Sequence, residues 1–390
     1  MRHSDTTNGG HGEQNFDFSA SQRQPVNVSQ IEWPNVNRVL IVKLRSLGDT
    51  VLATPSLIAL RRFLPDAQID ILLEDWVAPL LDGFDEADNV ISVGKSSSER
   101  LKVALALRRR KYAVAFNLHG GTTATFFTAA SRAQHRVGYA DYRYSFLYNH
   151  LLSSSSHFWK TEFTHSAEQQ LALLGFVGVP VEDRPKTRLH VSSSALESVV
   201  KKVYANSQSP QNKDKLVTTC VNGWTDDENF ALFHPATLFA TKQWSIENFA
   251  RTAEFLAEKG LKAIAVASGD EARILEDLKR ESNAPIQTFD DLTLPEITAL
   301  ASKARLFVGN DSGIAHIAAA VGTPTVVIFG SSNRSHWRPW TDAPNEIVFE
   351  EFACQPCPGY VCLEFGEPRC ILSIKPDSVF LAINKVLSRK

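Results

Sequence analysis

The sequence predicts an α/β protein with two domains in tandem, each built on a parallel sheet. At 390 residues the chain exceeds the size at which one hydrophobic core keeps growing, which favours two domains. Short apolar runs rich in β-branched residues alternate with segments of helical periodicity, and this alternation indicates parallel sheets. The alternation stops at a polar stretch, residues 206–215, and then begins again.

The first domain opens with the strand "RVLIVKL" (38–44), and a glycine turn leads from it to the helix "TVLATPSLIALRRFL" (50–64). Leu52, Leu57, Leu60 and Leu64 recur at helical spacing in that segment, so they would lie on one face of the predicted helix. The following segments continue the pattern, in the order "QIDILLE", "NVISVG", the helix "SERLKVALALRRR" and the strand "YAVAFNLHG".

The second domain repeats this organisation after the polar stretch. Its first strand lies in "NFALFHPA", and a helix follows over 245–260, with Ser245 as the predicted N-cap and Gly260 after its end. The remaining elements are the strand "KAIAVAS", the helices "DEARILEDLKR" and "LPEITALASKA", the strand "RLFVGN", the helix "GIAHIAAAVG" and the strand "PTVVIFG".

Composition limits the classes of partner. The chain is 43% hydrophobic and 22% charged, with a net charge of -2, so no overall positive field attracts nucleic acid. No segment reaches the ~18 consecutive apolar residues of a membrane span. The first residues are polar and lack the apolar core of a secretory signal, which predicts a disordered leader and a cytoplasmic protein. The predicted divisions are a leader at 1–37, a first domain at 38–190, a linker region at 191–214, a second domain at 215–374 and a C-terminal helix at 375–390.

Loops that directly follow strands carry the polar residues of interest, and ligands of open parallel sheets bind at that edge. "GNDSG" places Asp311, Ser312 and Gly313 at the start of a helix, where unpaired amides favour a phosphate or diphosphate. His316 lies in the same first turns and can reach the same ligand. The alternatives are a simple capping role for Asp311 or Ser312 and a core position for His316.

Two further loops of the second domain supply candidate donor-site residues. "HPATLFATK" contributes Thr237 and Lys242, and the lysine can neutralise phosphate charge. "ASGDEARI" contributes Glu271, whose carboxylate can bind a ribose or a base, or alternatively cap a helix. The chain has neither a Walker A motif nor a complete G-x-G-x-x-G, which argues against a P-loop NTPase or a dinucleotide oxidoreductase.

These loops together resemble glycosyltransferase family 9, the heptosyltransferases of lipopolysaccharide core assembly. The resemblance runs from residue 38 to the C-terminus and rests on "RVLIVKLRSLGDTVLATPSLIALRRFLPDAQIDIL", "KQWSIENFA" and "LFVGNDSGIAHIAAAVGTPTVVIFGSS". It implies a GT-B fold of two facing Rossmann-like domains, with the acceptor held by the first domain and an ADP-sugar by the second across the cleft.

The resemblance also implies an inverting transfer that needs no cofactor and no coordinated metal. In this family the Asp of the Gly-Asp pair, here Asp49, is the general base that takes the proton of the acceptor hydroxyl. Lys242 and the helix at Gly313 would stabilise the departing ADP. For Asp49 the alternative is an N-cap of the helix near Thr50. The other two functional classes kept open are a GT-B-fold sugar-nucleotide epimerase and a non-catalytic sugar-nucleotide-binding protein.

The implied acceptor is a lipopolysaccharide core or a lipid-linked saccharide, which carries anionic groups. Lys43 and Arg45 border Asp49, and His119 and Gly120 open another loop of the first domain, so these four residues are predicted to contact the acceptor. The arginines after that loop would favour peripheral contact with the inner membrane or are alternatively surface decoration; they are Arg132, Arg136 and Arg143.

Four cysteines share one loop near the C-terminus, "CQPCPGYVCLEFGEPRC", with the spacing C-x2-C-x4-C-x7-C. Four thiols at short spacing can close a structural zinc site, whereas the uneven spacing and the prolines favour reduced, partly buried thiols. Both interpretations of Cys354, Cys357, Cys362 and Cys370 are structural and not catalytic.

Overall fold

Two six-stranded sheets, one in each half of the chain, form the framework of the protein. This computed structural model describes residues 30–205, 229–357 and 360–389. The strands of the first sheet are β1 (Arg38–Val42), β2 (Gln68–Glu74), β3 (Asn89–Val93), β4 (Val114–Asn117), β5 (His135–Tyr139) and β6 (His150–Leu152). Those of the second are β7 (Phe230–His234), β8 (Lys262–Val266), β9 (Ile286–Phe289), β10 (Leu306–Asn310), β11 (Thr325–Ile328) and β12 (Asn345–Val348).

Both sheets have the same topology, with the first and fourth strands of each half side by side at the centre. It runs β3–β2–β1–β4–β5–β6 in the first and β12–β11–β10–β7–β8–β9 in the second, and all described pairs are parallel. The central strands β1 and β10 are buried along nearly their whole length because helices cover both faces of each sheet. The predicted fold class is therefore confirmed, and the carboxyl ends of β1 and β10 position the two most informative loops.

Helices connect the strands in the alternating pattern that the sequence predicted. In the first half they are α1 (Leu47–Val51), α2 (Thr54–Phe63), α3 (Ser97–Arg109), α4 (Gly121–Ala130), α5 (Ser155–Trp159), α6 (Ser166–Phe176) and α7 (Ser193–Ala205). In the second half they are α8 (Ile246–Glu258), α9 (Ala272–Glu281), α10 (Leu294–Lys303), α11 (Gly313–Ala320), α12 (Arg334–Trp337), α13 (Arg369–Leu372) and α14 (Pro376–Ser388).

The helix predicted over 50–64 is two helices in the structure. Helix α1 ends at Val51, and α2 begins at Thr54 with Pro55 in its first turn. A proline lacks the N–H that a continuing helix needs, so it is tolerated at the start of a helix and not in its interior. The break lets α1 take its own direction next to the carboxyl end of β1.

The two halves share one apolar core. Its members include Ile41 and Leu57 from the first half and Phe307 and Ile317 from the second. A smaller cluster of Leu52, Ala167 and Trp340 also joins the halves. The domains are therefore packed against each other through apolar side chains that both contribute.

Two of the predicted boundaries need correction. Ile31 and Val36 are buried, and the Trp33 ring packs edge-on against Phe63, so the folded chain starts before the predicted leader ends at residue 37. The predicted linker region 191–214 contains helix α7, which packs on α10. Its Ser198 and Lys202 contact Glu296, because the helix presents a polar side to α10 as well as an apolar one. Residues 1–29 and 206–228 lie outside the described residues.

The last helix, α14, corresponds to the C-terminal helix predicted at 375–390. It packs on β12 and α8, where the rings of Phe380 and Phe255 stack with centroids 4.1 Å apart. Among the described residues, no helix combines the length and the apolar character that crossing a membrane requires.

Candidate active site between the two domains

The loops after β1 and β10 meet where the two domains face each other. Helix α1 from the first domain packs directly on α11 from the second. A Cβ added at Gly48 would stand 2.7 Å from Cδ2 of His316, and one added at Gly313 would stand 2.8 Å from the Leu47 side chain. Real Cβ atoms essentially never approach other atoms this closely, so a side chain at either position would force its neighbours to shift. The first and third sequence motifs thus form one surface.

Asp49 lies in the first turn of α1, at this junction. Its Oδ1 accepts a hydrogen bond of 2.9 Å from Nζ of Lys43, and its Oδ2 accepts one of 3.0 Å from the Ser46 hydroxyl. Ser46 stands at the N-cap position, so the alternative that Asp49 caps a helix starting near Thr50 does not hold. The Asp49 side chain is 26% exposed, which leaves it accessible to a ligand.

The surroundings of Asp49 keep it ionised. Burial by itself would raise the pKa of Asp49, but the charge and hydrogen bond of Lys43, together with the Ser46 hydroxyl, lower it below its ordinary value. Burial and the nearby charges of Lys43 and Arg45 lower the pKa of His119 to about 4, against the opposing effect of Asp49. At neutral pH the site therefore holds a carboxylate beside a neutral imidazole.

Lys43 occupies a different environment from the one predicted for an acceptor ligand. Its side chain is only 4% exposed, and Nζ donates to Asp49 and, at 3.0 Å, to the carbonyl oxygen of Leu118. These contacts assign Lys43 to holding Asp49. Arg45 is exposed at the rim, in agreement with a surface role.

The predicted residues His119 and Gly120 follow β4 next to this lysine. Asn117 Oδ1 accepts hydrogen bonds from the backbone N–H groups of both, at 3.0 and 2.9 Å. Gly120 has φ +70°, a conformation that favours glycine, and this turn places the half-buried His119 within electrostatic range of Asp49. The loop is thus brought to the site.

Lys242 and Asp311 form the part of the site that the second domain contributes. Nζ of Lys242 lies 2.8 Å from Oδ2 of Asp311, and the hydroxyl of Ser332 donates to the same oxygen at 2.5 Å. Asp311 is buried, whereas the lysine side chain remains partly exposed. The arrangement leaves Asp311 as the group that orients Lys242. Ser332, which follows β11, was not predicted, although the segment "FGSS" in the third motif was the available signal.

The start of α11 carries two buried polar atoms without a partner. Within the described residues, neither the Ser312 hydroxyl nor Nδ1 of His316 has a hydrogen-bond partner. Burial lowers the pKa of His316 below its ordinary value, although Asp311 and Asp49 oppose this effect, so the imidazole is neutral at pH 7. A buried polar atom without a partner is costly, and a bound ligand that supplies acceptors and donors removes that cost.

Thr237 and Glu271 lie in loops at the same edge of the second sheet. Thr237 is half-buried after β7, five positions before Lys242. Oε2 of Glu271 accepts hydrogen bonds from the backbone N–H and the hydroxyl of Ser268, at 3.2 and 2.7 Å. The helix-capping alternative for Glu271 is therefore the one seen in the structure.

The three arginines predicted near the acceptor differ in their surroundings. Arg136 donates to the carbonyl oxygens of Leu147 and Ala133, which ties it to the first domain itself. Arg132 and Arg143 are exposed, and the guanidinium of Arg143 lies over the Tyr144 ring. Only the latter two present charge to solvent in the manner the prediction requires.

Comparison with known proteins gives one family. The sequence model of glycosyltransferase family 9 (heptosyltransferase) matches residues 100–366. A protein of Escherichia coli described as lipopolysaccharide heptosyltransferase 3 is 26% identical over 317 residues, which cover 78% of this chain and 86% of that protein.

Solved structures show the same fold. The glycosyl transferase family 9 structure from Veillonella parvula superposes with a TM-score of 0.74 at 18% identity, covering 91% of this chain and 98% of that one. The E. coli ADP-heptose lipopolysaccharide heptosyltransferase II superposes with a TM-score of 0.70 at 20% identity, covering 90% and 98%. The two-domain GT-B architecture that the resemblance implied is thereby confirmed.

Proposed function

The chain belongs to glycosyltransferase family 9, the heptosyltransferases, and we propose that it transfers a heptose from ADP-heptose to a lipopolysaccharide-type acceptor. The family match includes Lys242 and the Asp311–His316 segment but begins after Asp49, at residue 100. The role of Asp49 is therefore argued from geometry. Location in the cytoplasm, at the surface of the inner membrane, stays a prediction from the sequence.

One observation carries the proposal: the helix that bears an ionised carboxylate of the first domain packs against the helix of the second domain that we propose binds the diphosphate. Asp49 sits on α1, α1 packs on α11, and the unpartnered Ser312 and His316 atoms belong to α11. A carboxylate next to a phosphate site has no use in binding the phosphate itself, because like charges repel. It suits a base that acts on a hydroxyl brought in beside the sugar.

The proposed reaction is a single displacement. The acceptor oxygen forms a bond to the anomeric carbon, its proton passes to Asp49, and the bond from that carbon to the diphosphate oxygen breaks with its electron pair leaving on ADP. Attack from the face opposite the leaving group inverts the anomeric configuration. The low pKa of Asp49 keeps the carboxylate ready to accept the proton over the whole neutral range.

The leaving group is stabilised from the second domain. Lys242 and the amides at the start of α11 place positive charge where negative charge develops on ADP, and such preorganised groups usually supply a large share of a rate enhancement. We propose that they replace a coordinated metal in this role. His316 and Ser312 supply further hydrogen bonds to the diphosphate or the sugar. Thr237 assists from the loop after β7.

Replacing Asp49 by Asn tests the proposal, because it keeps the shape of the side chain and removes its basicity. With ADP-heptose and heptose-deficient lipopolysaccharide, we expect Asp49→Asn to lower acceptor-dependent ADP release by about 10²–10⁴-fold, the usual contribution of a general base. Binding of ADP-heptose should persist. The matched control is Asp66→Asn, which changes an exposed carboxylate in the loop before β2 and should leave turnover unchanged.

Five outcomes would contradict all or part of the proposal. Full activity of Asp49→Asn removes Asp49 as the base, and a loss of turnover in EDTA that added magnesium restores removes the metal-independent mechanism. An anomeric proton coupling that shows retention in the product excludes the single displacement. Release of an isomerised ADP-sugar without acceptor would identify an epimerase, and tight donor binding without any turnover would identify a binding protein.

A further inference from the structure

Four cysteines converge on one small cavity at the side of the second domain. Cys354, Cys357 and Cys362 are half-buried, Cys370 is buried, and all four border a cavity of about 10 Å³. That volume is about the room needed by one water-sized atom. The chain has only one other cysteine, Cys220, so four of the five thiols in 390 residues meet at this point.

The rest of the cavity lining supplies little competing chemistry. Phe365 and Pro368 are apolar, and the hydroxyls of Thr241 and Ser331 bond to each other at 3.0 Å. The remaining residue, Arg369, is a cation that cannot coordinate a metal ion but can offset the charge of thiolates. Four sulfur ligands around a one-atom cavity suit a thiophilic ion with tetrahedral geometry, which is typical of zinc or iron. Oxygen-preferring ions such as magnesium find no carboxylate among the residues that line it.

The cavity adjoins the loop that carries Lys242. Thr241 and Ser331 both line it, and the Thr241 carbonyl oxygen accepts a hydrogen bond from the Ser331 N–H. The Cys357 N–H in turn donates to the carbonyl oxygen of Ser331 at 3.1 Å. Lys242 and Ser332 are the two residues that contact Asp311. Each directly follows a residue of the cavity lining, Lys242 after Thr241 and Ser332 after Ser331. Whatever fixes the cysteine loop therefore also fixes both contacts to Asp311.

We propose that Cys354, Cys357, Cys362 and Cys370 bind one divalent zinc or iron ion through four thiolates, and that this ion positions the Lys242 loop. Nowhere in the described part of the chain do three or more His, Cys, Asp or Glu side chains already stand at metal-binding geometry. Binding therefore requires the thiols to turn onto the ion, which rotation about single Cα–Cβ bonds permits. The proposal has two halves. The positioning half, that the ion fixes the Lys242 loop, rests on the proposed function, whereas the metal-binding half does not.

The metal content of the full chain, purified under reducing conditions, tests the first half. We expect about one zinc or iron ion per chain by elemental analysis, as for a closed four-thiolate site. Visible absorption distinguishes coloured iron thiolate from colourless zinc. Cys357→Ser and Cys362→Ser should each reduce the bound metal several-fold. Cys220→Ser is the matched control and should retain it.

Thiol accessibility gives a readout that is independent of metal content. In the folded, metal-loaded chain the four clustered cysteines should resist a thiol reagent, and a strong chelator should make those four reactive. A folded chain that holds no metal after growth with either ion, or a Cys220→Ser variant that loses as much metal as Cys362→Ser, would overturn the proposal. Disulfides within the cluster of the unreduced protein would overturn it as well.

The positioning half is tested by binding of ADP, which requires no acceptor. Loss of the ion should weaken the affinity for ADP several-fold and raise KM for the donor more than it lowers kcat, because under the proposed function Lys242 binds the diphosphate. Unchanged ADP affinity in a metal-free Cys362→Ser chain would refute positioning and leave the metal site in place. If the chain proves not to be a transferase, the metal count still decides the first half.

Discussion

Lys43 shows how one buried cation decides what a neighbouring carboxylate can do. The lysine follows β1, where the chain passes between the ends of β2 and β4, so its ammonium lies beneath Asp49 and not in solvent. Burial raises the pKa of Asp49, and the lysine more than reverses this effect. The pair thereby keeps the proposed base ionised, while part of the Asp49 side chain stays exposed.

Removing that charge should shift the pH dependence of the reaction. In Lys43→Met only burial and the Ser46 hydroxyl act strongly on Asp49, so its pKa rises and protonation begins at a higher pH. We expect the acid limb of the kcat/KM profile, which reports on the free enzyme, to move to higher pH than in the wild type. Identical acid limbs in both proteins would mean that Lys43 does not tune Asp49.

The residues of the site could be predicted to different degrees from the sequence. Asp49, Lys242 and the Asp311–His316 segment were found because each follows a strand, and ligand-binding residues of parallel sheets lie there. Lys43 and Ser332 also follow strands, but their contacts to other residues of the site could not be found in this way. Both act through long-range contacts, to Leu118 and to Asp311, that no local pattern encodes.

At the scale of elements, the short helix α1 joins the two halves of the site. Its separation from α2 by Pro55 gives it an independent direction, and glycines at its contact with α11 let the two backbones approach closely. A continuous helix over 50–64, as predicted from periodicity, would not present Asp49 in its first turn. Periodicity finds apolar faces but is insensitive to a break of two residues.

A methyl group at Gly313 should separate the two helices. In Gly313→Ala the new Cβ would meet Leu47 at 2.8 Å, so we expect turnover to fall at least tenfold with little loss of fold. Leu47→Ala removes the obstructing atoms beyond Cβ, and combining it with Gly313→Ala should recover part of the lost activity. Strictly additive losses in this double-mutant cycle would show that the two positions act independently.

At the scale of the whole molecule, a second set of contacts holds the domains together away from the site. The Trp340 indole donates to the carbonyl oxygen of Pro185 at 2.8 Å, and the Trp340 carbonyl oxygen accepts from Thr187. The imidazole of His165 stacks on Trp340 with ring centroids 4.5 Å apart. His165 also caps α6, since its Nδ1 accepts from the Ala167 N–H, and Nε2 bonds the carbonyl oxygen of Arg338.

This junction should make the fold sensitive to acid. Burial, with smaller effects from the charges of His316, His336 and Arg338, lowers the pKa of His165 to about 3, against the opposing hydrogen bond to the Arg338 carbonyl. The unfolded chain then binds more protons below about pH 6.5, so the stability that neutral His165 contributes is complete above that pH and is lost as the pH falls towards 3.

We expect His165→Asn, which keeps a capping acceptor but does not titrate, to weaken this dependence. Between about pH 6 and 4 the free energy of unfolding, measured with urea, should fall less steeply in the variant, by about 1 kcal/mol per pH unit. Other histidines whose pKa values are lowered, chiefly by burial, contribute to the remaining slope in both proteins, among them His119 and His150, lowered to about 4, and His316. Equal slopes would assign the acid sensitivity to those other histidines.

The close contact between Gly48 and His316 also bears on how α1 and α11 move during turnover. Two groups that leave no room for a methyl between them leave none for a sugar ring, so no sugar can lie between Gly48 and His316 in this arrangement. Entry of a sugar at that point would require α1 to move away from α11. We expect this motion, and the release of ADP that it permits, to limit kcat more than the chemical step does.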